Sequence, residues 1–307
     1  MWRVSLLLFL GLAAMAVSAR ADERILSWHS EIVVEKSGDL RVTETIVIRA
    51  EGDKIKRGIL RDIPLLLDDR FKPLRRTLGL PITKPFKIVS VKRDGKKENH
   101  RTEKIGQGGI RIRIGRADVF LDPGSYTYEI IYRTGRQLYF EEGREVLYWN
   151  INGTEWDFAT DKVSATVELP EGIKPTKVWG YTGRRGEEGK DYEAVRTETG
   201  ATIATNRVLS RRENLSVVLE WPPGLLDAQA KKHTEFSLGR DHPKVVISGL
   251  LLGLAGLYFL LAWLAVGRDP QKGTIIPRYG PPEGLSAAAA RYIMEMAYDA
   301  KCFSAGV

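Results

Sequence analysis

Cysteine is almost missing from this chain: its 307 residues contain one, Cys302. Residues 22–244 hold none, so that stretch forms no internal disulfide and must be held by its own core. The four histidines, His29, His100, His233 and His242, stand at no metal-binding or triad spacing, and neither CxxC nor GxSxG occurs. Thiolate–metal chemistry and a nucleophile elbow are therefore without support. Internal repeats and low-complexity tracts are also absent, and residues 22–221 carry no helical stripe of useful length. An apolar share of 43% with a charged share of 28% argues against wholesale disorder.

Charge is present but weakly biased. A net charge of +8 would ordinarily raise nucleic acid as a partner. Residues 22–244, however, hold about 40 Lys and Arg against about 35 Asp and Glu, which describes a mildly basic solvated surface. Anionic lipid headgroups or envelope polymers are the expected counter-charges; no nucleic acid and no cofactor are expected.

Two apolar runs stand at the ends. Met1-Trp2-Arg3 leads into Val4 to Val17, then Ser18-Ala19-Arg20-Ala21, with small residues at both recognition positions of an Ala-x-Ala site. This pattern predicts a signal peptide over 1–21, cleaved after Ala21, the alternative being an uncleaved anchor. The second run, Val245 to Gly267, contains no charge and is long enough to cross about 30 Å of hydrocarbon as a helix. The expected organisation is an exported domain over 22–222, a juxtamembrane linker over 223–244, a transmembrane helix over 245–267 and a cytoplasmic segment over 268–307. Charges flank the span on both sides, with Lys231, Lys232, Arg240 and Lys244 before it and Arg268, Lys272 and Arg278 after it. Orientation therefore rests on the signal peptide. Within the span Gly249 and Gly253 form a GxxxG and Gly256 continues the face, a stripe that lets another helix approach closely. Glycine is also common in membrane helices without any such partner.

From Ile25 onward the apolar period is two. Leu40, Val42, Ile46 and Ile48 share one strand face, and Ile110-Arg111-Ile112-Arg113-Ile114 alternates between Gly109 and Gly115. Similar runs cover Tyr126–Tyr132, Val163–Leu169 and Val217–Trp221, with turn signals at Ser37-Gly38-Asp39, Asp94-Gly95 and Asp122-Pro123-Gly124. Many short strands predict a mainly β, immunoglobulin-like β-sandwich. Its size leaves room for a second subdomain beginning near 136–150.

One residue breaks the alternation. Glu44 falls on the apolar face, where an unpaired carboxylate is costly to bury. It must lie at an edge, pair with a base or serve a site, and Arg57 and Arg61, in the segment before Asp62, are the candidate partners. A second dense patch spans Leu147 to Phe158 and includes Trp149, Asn150 and Trp156. Aromatics interleaved with Asn, Asp and Glu suit a carbohydrate-binding surface, yet tryptophan in a sandwich also serves as core with its indole nitrogen satisfied by a carbonyl.

Several segments together resemble the YciQ-like predicted bacterial membrane proteins, whose exported part is a domain of unknown function. They are Gly38-Asp39-Leu40-Arg41-Val42-Thr43-Glu44-Thr45, Arg57 through Pro64, Leu147-Tyr148-Trp149-Asn150 through Trp156, and, after the span, Gly267-Arg268-Asp269-Pro270 and Pro281 through Ser286. The resemblance covers essentially the whole mature chain and implies a topology, not an activity. Members typically continue with more cytoplasmic sequence and further spans, so it also implies that the chain stops partway through a larger cytoplasmic region. Ser286 is placed to cap a short amphipathic helix over 286–303, with Tyr292, Ile293, Met296 and Phe303 in one stripe.

The leading functional expectation is a membrane-anchored bacterial envelope protein of the inner membrane, its domain extracytoplasmic and non-enzymatic, binding an envelope polymer or protein. The alternatives are an envelope enzyme acting on glycan or lipid, using two carboxylates among Glu44, Asp62, Glu155 and Asp157, and a subunit of a transport or signalling assembly.

Overall fold

The computed structural model describes residues 22–66, 83–106, 108–234, 237–267, 273 and 283–304. The expected signal peptide, the charges at 268, 272 and 278, and part of the post-span motif lie outside these residues. Two compact units are present, residues 1–243 and 244–307.

In the first unit the period-two runs become strands. The first eight are β1 (Arg24–Val34), β2 (Leu40–Ala50), β3 (Gly58–Pro64), β4 (Phe86–Arg93), β5 (Lys96–Lys97), β6 (His100–Ile105), β7 (Gly109–Gly115) and β8 (Gly124–Thr134). Seven follow: β9 (Leu138–Glu141), β10 (Arg144–Asn150), β11 (Val163–Glu168), β12 (Lys177–Gly183), β13 (Tyr192–Arg196), β14 (Gly200–Thr205) and β15 (Asn214–Trp221). They form an eight-stranded sheet in the order β13-β14-β11-β1-β2-β8-β4-β5, a four-stranded sheet β12-β15-β10-β9 and a three-stranded sheet β3-β7-β6. The mainly β class is as expected from the alternation. Among the described residues the sheets number three, and β1 pairs with β11 in parallel, Trp28 opposite Val163. Strands on both sides of residue 150 share the largest sheet and lie in one compact unit.

Turn chemistry sets the hairpins. Asp94 and Gly95 both have positive φ between β4 and β5, the combination a two-residue type I′ turn requires and Asp-Gly supplies. Along β2 burial alternates strictly, with Leu40, Val42, Glu44, Ile46 and Ile48 fully inside. On β15 the alternation in sequence misleads, because all eight residues are buried. Its polar members are satisfied where they lie: Ser216 donates to Asn150 Oδ1 and Arg144 pairs with Glu220.

The linker after β15 is folded rather than extended. Helices α1 (Ala228–Thr234) and α2 (Leu238–Asp241) occupy it. The Asp227 amide donates to Lys36 O, and Gly38, with φ +83°, lies so near α1 that a Cβ there would stand 3.0 Å from Ala230 Cβ. Asp241 pairs with Arg136 from the β8–β9 connection, and both side chains are almost fully buried.

Helix α3 (Pro243–Val266) follows, 24 residues of which none is buried, and it is strongly apolar from Val245 onward. At 1.5 Å per residue it is about 36 Å long, enough to cross a bilayer core. It begins two residues before the expected span and ends one before it. In the second unit Ser286 Oγ accepts from the Ala289 amide and caps α4 (Ala287–Glu295), as its position predicts. The single helix expected over 286–303 is divided, because Met296 adopts a left-handed conformation (φ 48°) and α5 (Ala300–Ser304) starts beyond it.

Candidate functional site

Strand β2 places Glu44 on the inner face of the large sheet, opposite Ser30 on β1 and Ile130 on β8. Strand β3 presents Ile59, Arg61 and Ile63 inward and Leu60 and Asp62 outward. The two inner faces bring Arg61 to Glu44 as a two-pronged pair: Nε donates to Oε2 at 2.9 Å and Nη2 to Oε1 at 2.7 Å. Glu44 is 0% exposed and Arg61 4%. A dry ion pair persists only when its remaining polar atoms are also satisfied. Here they are. Arg61 Nη1 donates to Asn152 O at 2.8 Å, Nη2 lies 3.3 Å from Ile151 O, and Tyr132 Oη donates to Glu44 Oε1 at 2.8 Å.

The ring system around the pair is equally closed. The Arg61 guanidinium stands 4.8 Å from the Trp28 ring, and Trp28 meets Trp156 edge-on at 5.4 Å. Trp156 Nε1 donates to the same Asn152 carbonyl that Arg61 uses. Gly153 completes the wrap, since a Cβ there would come 3.1 Å from Arg61 Nη1. Burial alone would weaken the hold of Arg61 on its proton, but the Glu44 charge and hydrogen bonds more than offset it, so the guanidinium holds its proton more tightly than usual. Burial, reinforced by the Glu44 charge, pushes the Tyr132 phenol well above its ordinary value and keeps it a donor.

The other expected residues go elsewhere. Arg57 precedes β3, is exposed, and lies over the exposed Phe120 ring at 4.1 Å; it does not reach Glu44 as a partner. Asp62 turns to the opposite face and takes its own arginine, Arg111, at 2.7 and 2.6 Å. That hydrogen bonding raises the Arg111 guanidinium above its usual value. Trp149 and Trp156 are 7% and 6% exposed, both part of the core cluster, while Asn150 is exposed and accepts from Asn214 and Ser216. Both indoles are therefore core, but only Trp156 has its nitrogen satisfied by a carbonyl; Trp149 Nε1 is buried without a hydrogen-bond partner among the described residues. Asp157 faces Arg212 at 3.0 Å on the surface, and Glu155 accepts from its neighbour Thr154 at 3.3 Å. Gly249, Gly253 and Gly256 lie on α3 with open space where a Cβ would stand.

Tyr132 and Trp28 were not singled out from sequence. Tyr132 sits on the apolar face of an alternating run, which marks it as core but gives no register. Its partner Glu44 is fixed only by pairing between strands 88 residues apart in the chain.

Residues 24–221 match the family described as predicted membrane protein (DUF2207), N-terminal domain. The whole chain is similar to the uncharacterized protein YciQ of Escherichia coli (strain K12), at 27% identity over 324 aligned positions. That match covers 100% of this chain and 48% of the relative, so the chain spans about half the length of the curated protein it matches. Among solved structures, a yeast leukotriene A4 hydrolase is similar at 12% identity and a TM-score of 0.38, covering 66% of this chain and 30% of that one. An M1 zinc metallopeptidase from Deinococcus radiodurans gives 11% identity and a TM-score of 0.36, covering 64% and 42%. Likeness at that level carries no argument about this chain. The family match, by contrast, takes in well over half of the sequence, and on it the protein belongs to the DUF2207 family of predicted membrane proteins.

Proposed function

We propose that this protein is a membrane-anchored, non-enzymatic binding module of the bacterial inner membrane, with residues 22–243 extracytoplasmic and the segment after α3 cytoplasmic. The observation that carries this reading is the pairing of the candidate acids with arginines. Glu44, Asp62 and Asp157, three of the four carboxylates available for acid–base chemistry on a glycan, are each held by an arginine. A glycosidase needs two carboxyl groups free to exchange protons across a cleft, roughly 5–10 Å apart. The tryptophans that might have lined such a cleft are core, so the pair at Glu44 supports a framework rather than a reaction. The anchor is supported by α3 and by the family, the orientation by the leader-like N-terminus.

Full chain solubilised in mild detergent, challenged with envelope extract and isolated peptidoglycan, tests the module. Retention of a partner that is lost on unfolding the β-domain is expected. Turnover of a glycan or lipid substrate that disappears in an Asp157→Asn or Glu155→Gln variant would overturn the reading in favour of an enzyme.

A further inference from the structure

The dense segment from Leu147 to Phe158 sends its tryptophans into the core, but Tyr148 and Asn150 turn the opposite way. On β10 and β15, Leu147, Trp149, Val217 and Leu219 belong to the core cluster, so the alternate residues stand on the far face of the four-stranded sheet. Two rows cross that face in register. Asn150 on β10, Ser216 on β15 and Tyr181 on β12 form one, and Tyr148, Val218 and Trp179 form the next. Val218 is only 4% exposed yet lies outside the core cluster, with Tyr148 and Trp179 as its neighbours on either side. Tyr148 itself is 37% exposed and Trp179 and Tyr181 are half-buried. None of these three aromatics belongs to the core cluster or to the residues packed on it.

The polar groups among these rings are fixed in a way that leaves donors unused. Asn150 Oδ1 accepts from Ser216 Oγ at 2.7 Å and from Asn214 Nδ2 at 3.1 Å. That orients the amide, and the Nδ2 group of this exposed residue has no acceptor among the described residues. Trp179 Nε1 donates to Tyr181 Oη at 3.0 Å, so the phenol O–H is also left to donate elsewhere. Tyr148 and Trp179 stand two strand spacings apart, about 9–10 Å at the backbone. Separated aromatic rings with oriented donors beside them match a sugar chain. A pyranose offers apolar C–H bonds to the negative face of a ring and oxygen acceptors at its rim. The two N–H groups of Asn150 suit a carbonyl oxygen, which an acetamido group supplies. A hydrocarbon surface laid on the same rings would bury those donors unpaired, at a cost.

We propose that this face binds an envelope glycan whose sugars carry acetamido groups, with pyranose rings stacked on Tyr148 and Trp179 and an acetamido carbonyl accepting from Asn150 Nδ2. The proposal rests on the binding-module reading and names its ligand. Its probe is the β-1,4-linked N-acetylglucosamine tetramer, titrated calorimetrically into full chain held in a detergent without a sugar headgroup. The corresponding glucose tetramer, which lacks acetamido groups, is the parallel arm. Saturable binding of the acetylated tetramer, about fivefold tighter than that of the glucose tetramer, is expected. Trp179→Ala should weaken it about tenfold, and Trp179→Phe should restore most of that loss. Asn150→Asp keeps the acceptor that Ser216 and Asn214 use and removes the unused donor, so it should erase the preference between the tetramers. Phe120→Ala, which removes an exposed ring elsewhere, should change neither. No saturable binding, equal binding of the two tetramers by wild type, or binding indifferent to Trp179→Ala and Asn150→Asp overturns the proposal. A change of oligomeric state in Trp179→Ala assigns the face to a second copy of the chain and overturns it as well. Retention from envelope extract separates the two readings. No partner retained by wild type defeats the binding module, whereas a partner retained equally by wild type and Trp179→Ala defeats the glycan face alone.

Discussion

Arg61 and Asp62 are neighbours on β3, face opposite ways, and each completes a two-pronged carboxylate–guanidinium pair. Their geometries nearly coincide, at 2.9 and 2.7 Å for Glu44–Arg61 and 2.7 and 2.6 Å for Asp62–Arg111. Their surroundings do not. The inner pair is sealed beneath Trp28 and Trp156 with carbonyls and a phenol on its spare atoms, whereas Arg111 keeps 32% of its side chain in solvent. Distance alone therefore says little about what a pair contributes. In water the charges are already solvated and the pair adds little; in the core neither partner can be removed without stranding the other.

The largest expected effect is Glu44→Gln, which leaves the Arg61 charge buried and half-partnered. A loss of about 3–5 kcal/mol is expected in urea unfolding of the solubilised chain followed by tryptophan fluorescence. A cost no larger than that of Asp62→Asn would erase the contrast between the two pairs. The double variant Glu44→Leu/Arg61→Met should recover part of that loss and stay about 1–3 kcal/mol below wild type, because the Ile151 carbonyl then loses its Arg61 donor and the Tyr132 hydroxyl its acceptor, while Asn152 O keeps Trp156 Nε1. Tyr132→Phe removes one hydrogen bond to a charged acceptor, worth about 1.5–3 kcal/mol in the same measurement. Alkali tests the burial directly. Burial pushes Tyr128 up to about 12, and Tyr132 is also raised, whereas unfolded tyrosines ionise near 10. Stability should hold below about pH 10 and fall as pH rises toward 12, by about 1.4 kcal/mol per unit for each such group. Tyr128→Phe should flatten that slope. Asp62→Asn should cost less than about 1 kcal/mol, a difference that shrinks further in high salt.

Part of this site can be read before any coordinates exist. Strict alternation in Leu40–Ile48 makes Glu44 conspicuous, and it follows that a base must meet it. Arg57 and Arg61 share one parity, so sequence cannot choose between them; the strand starts at Gly58 and only Arg61 lies within it. The patch around Trp149 is visible as dense aromatics, but core and surface tryptophans look alike until a second sheet covers them. β15 illustrates the same limit from the other side, since its period of two suggests a solvated face that the flanking strands and their polar partners close off. The helical linker is hidden for another reason: α1 and α2 are too short to show a periodic stripe, and their contacts come from the distant turns at 36–38 and 136.

The parallel pairing of β1 with β11 bears on how the domain is made. Trp28 lies opposite Val163, 135 residues later, and β1 sits inside the largest sheet rather than at its rim. A chain delivered from its N-terminus can close the β1–β2 hairpin at once, but the far side of β1 stays an open, apolar edge until β11 arrives. An unpaired edge of that kind is a template for pairing with other chains. Pairing over so long a separation is slow, because loop closure comes before the contacts that reward it. The delay between the first strand and its last partner sets the interval over which that edge stays open to pairing with another chain.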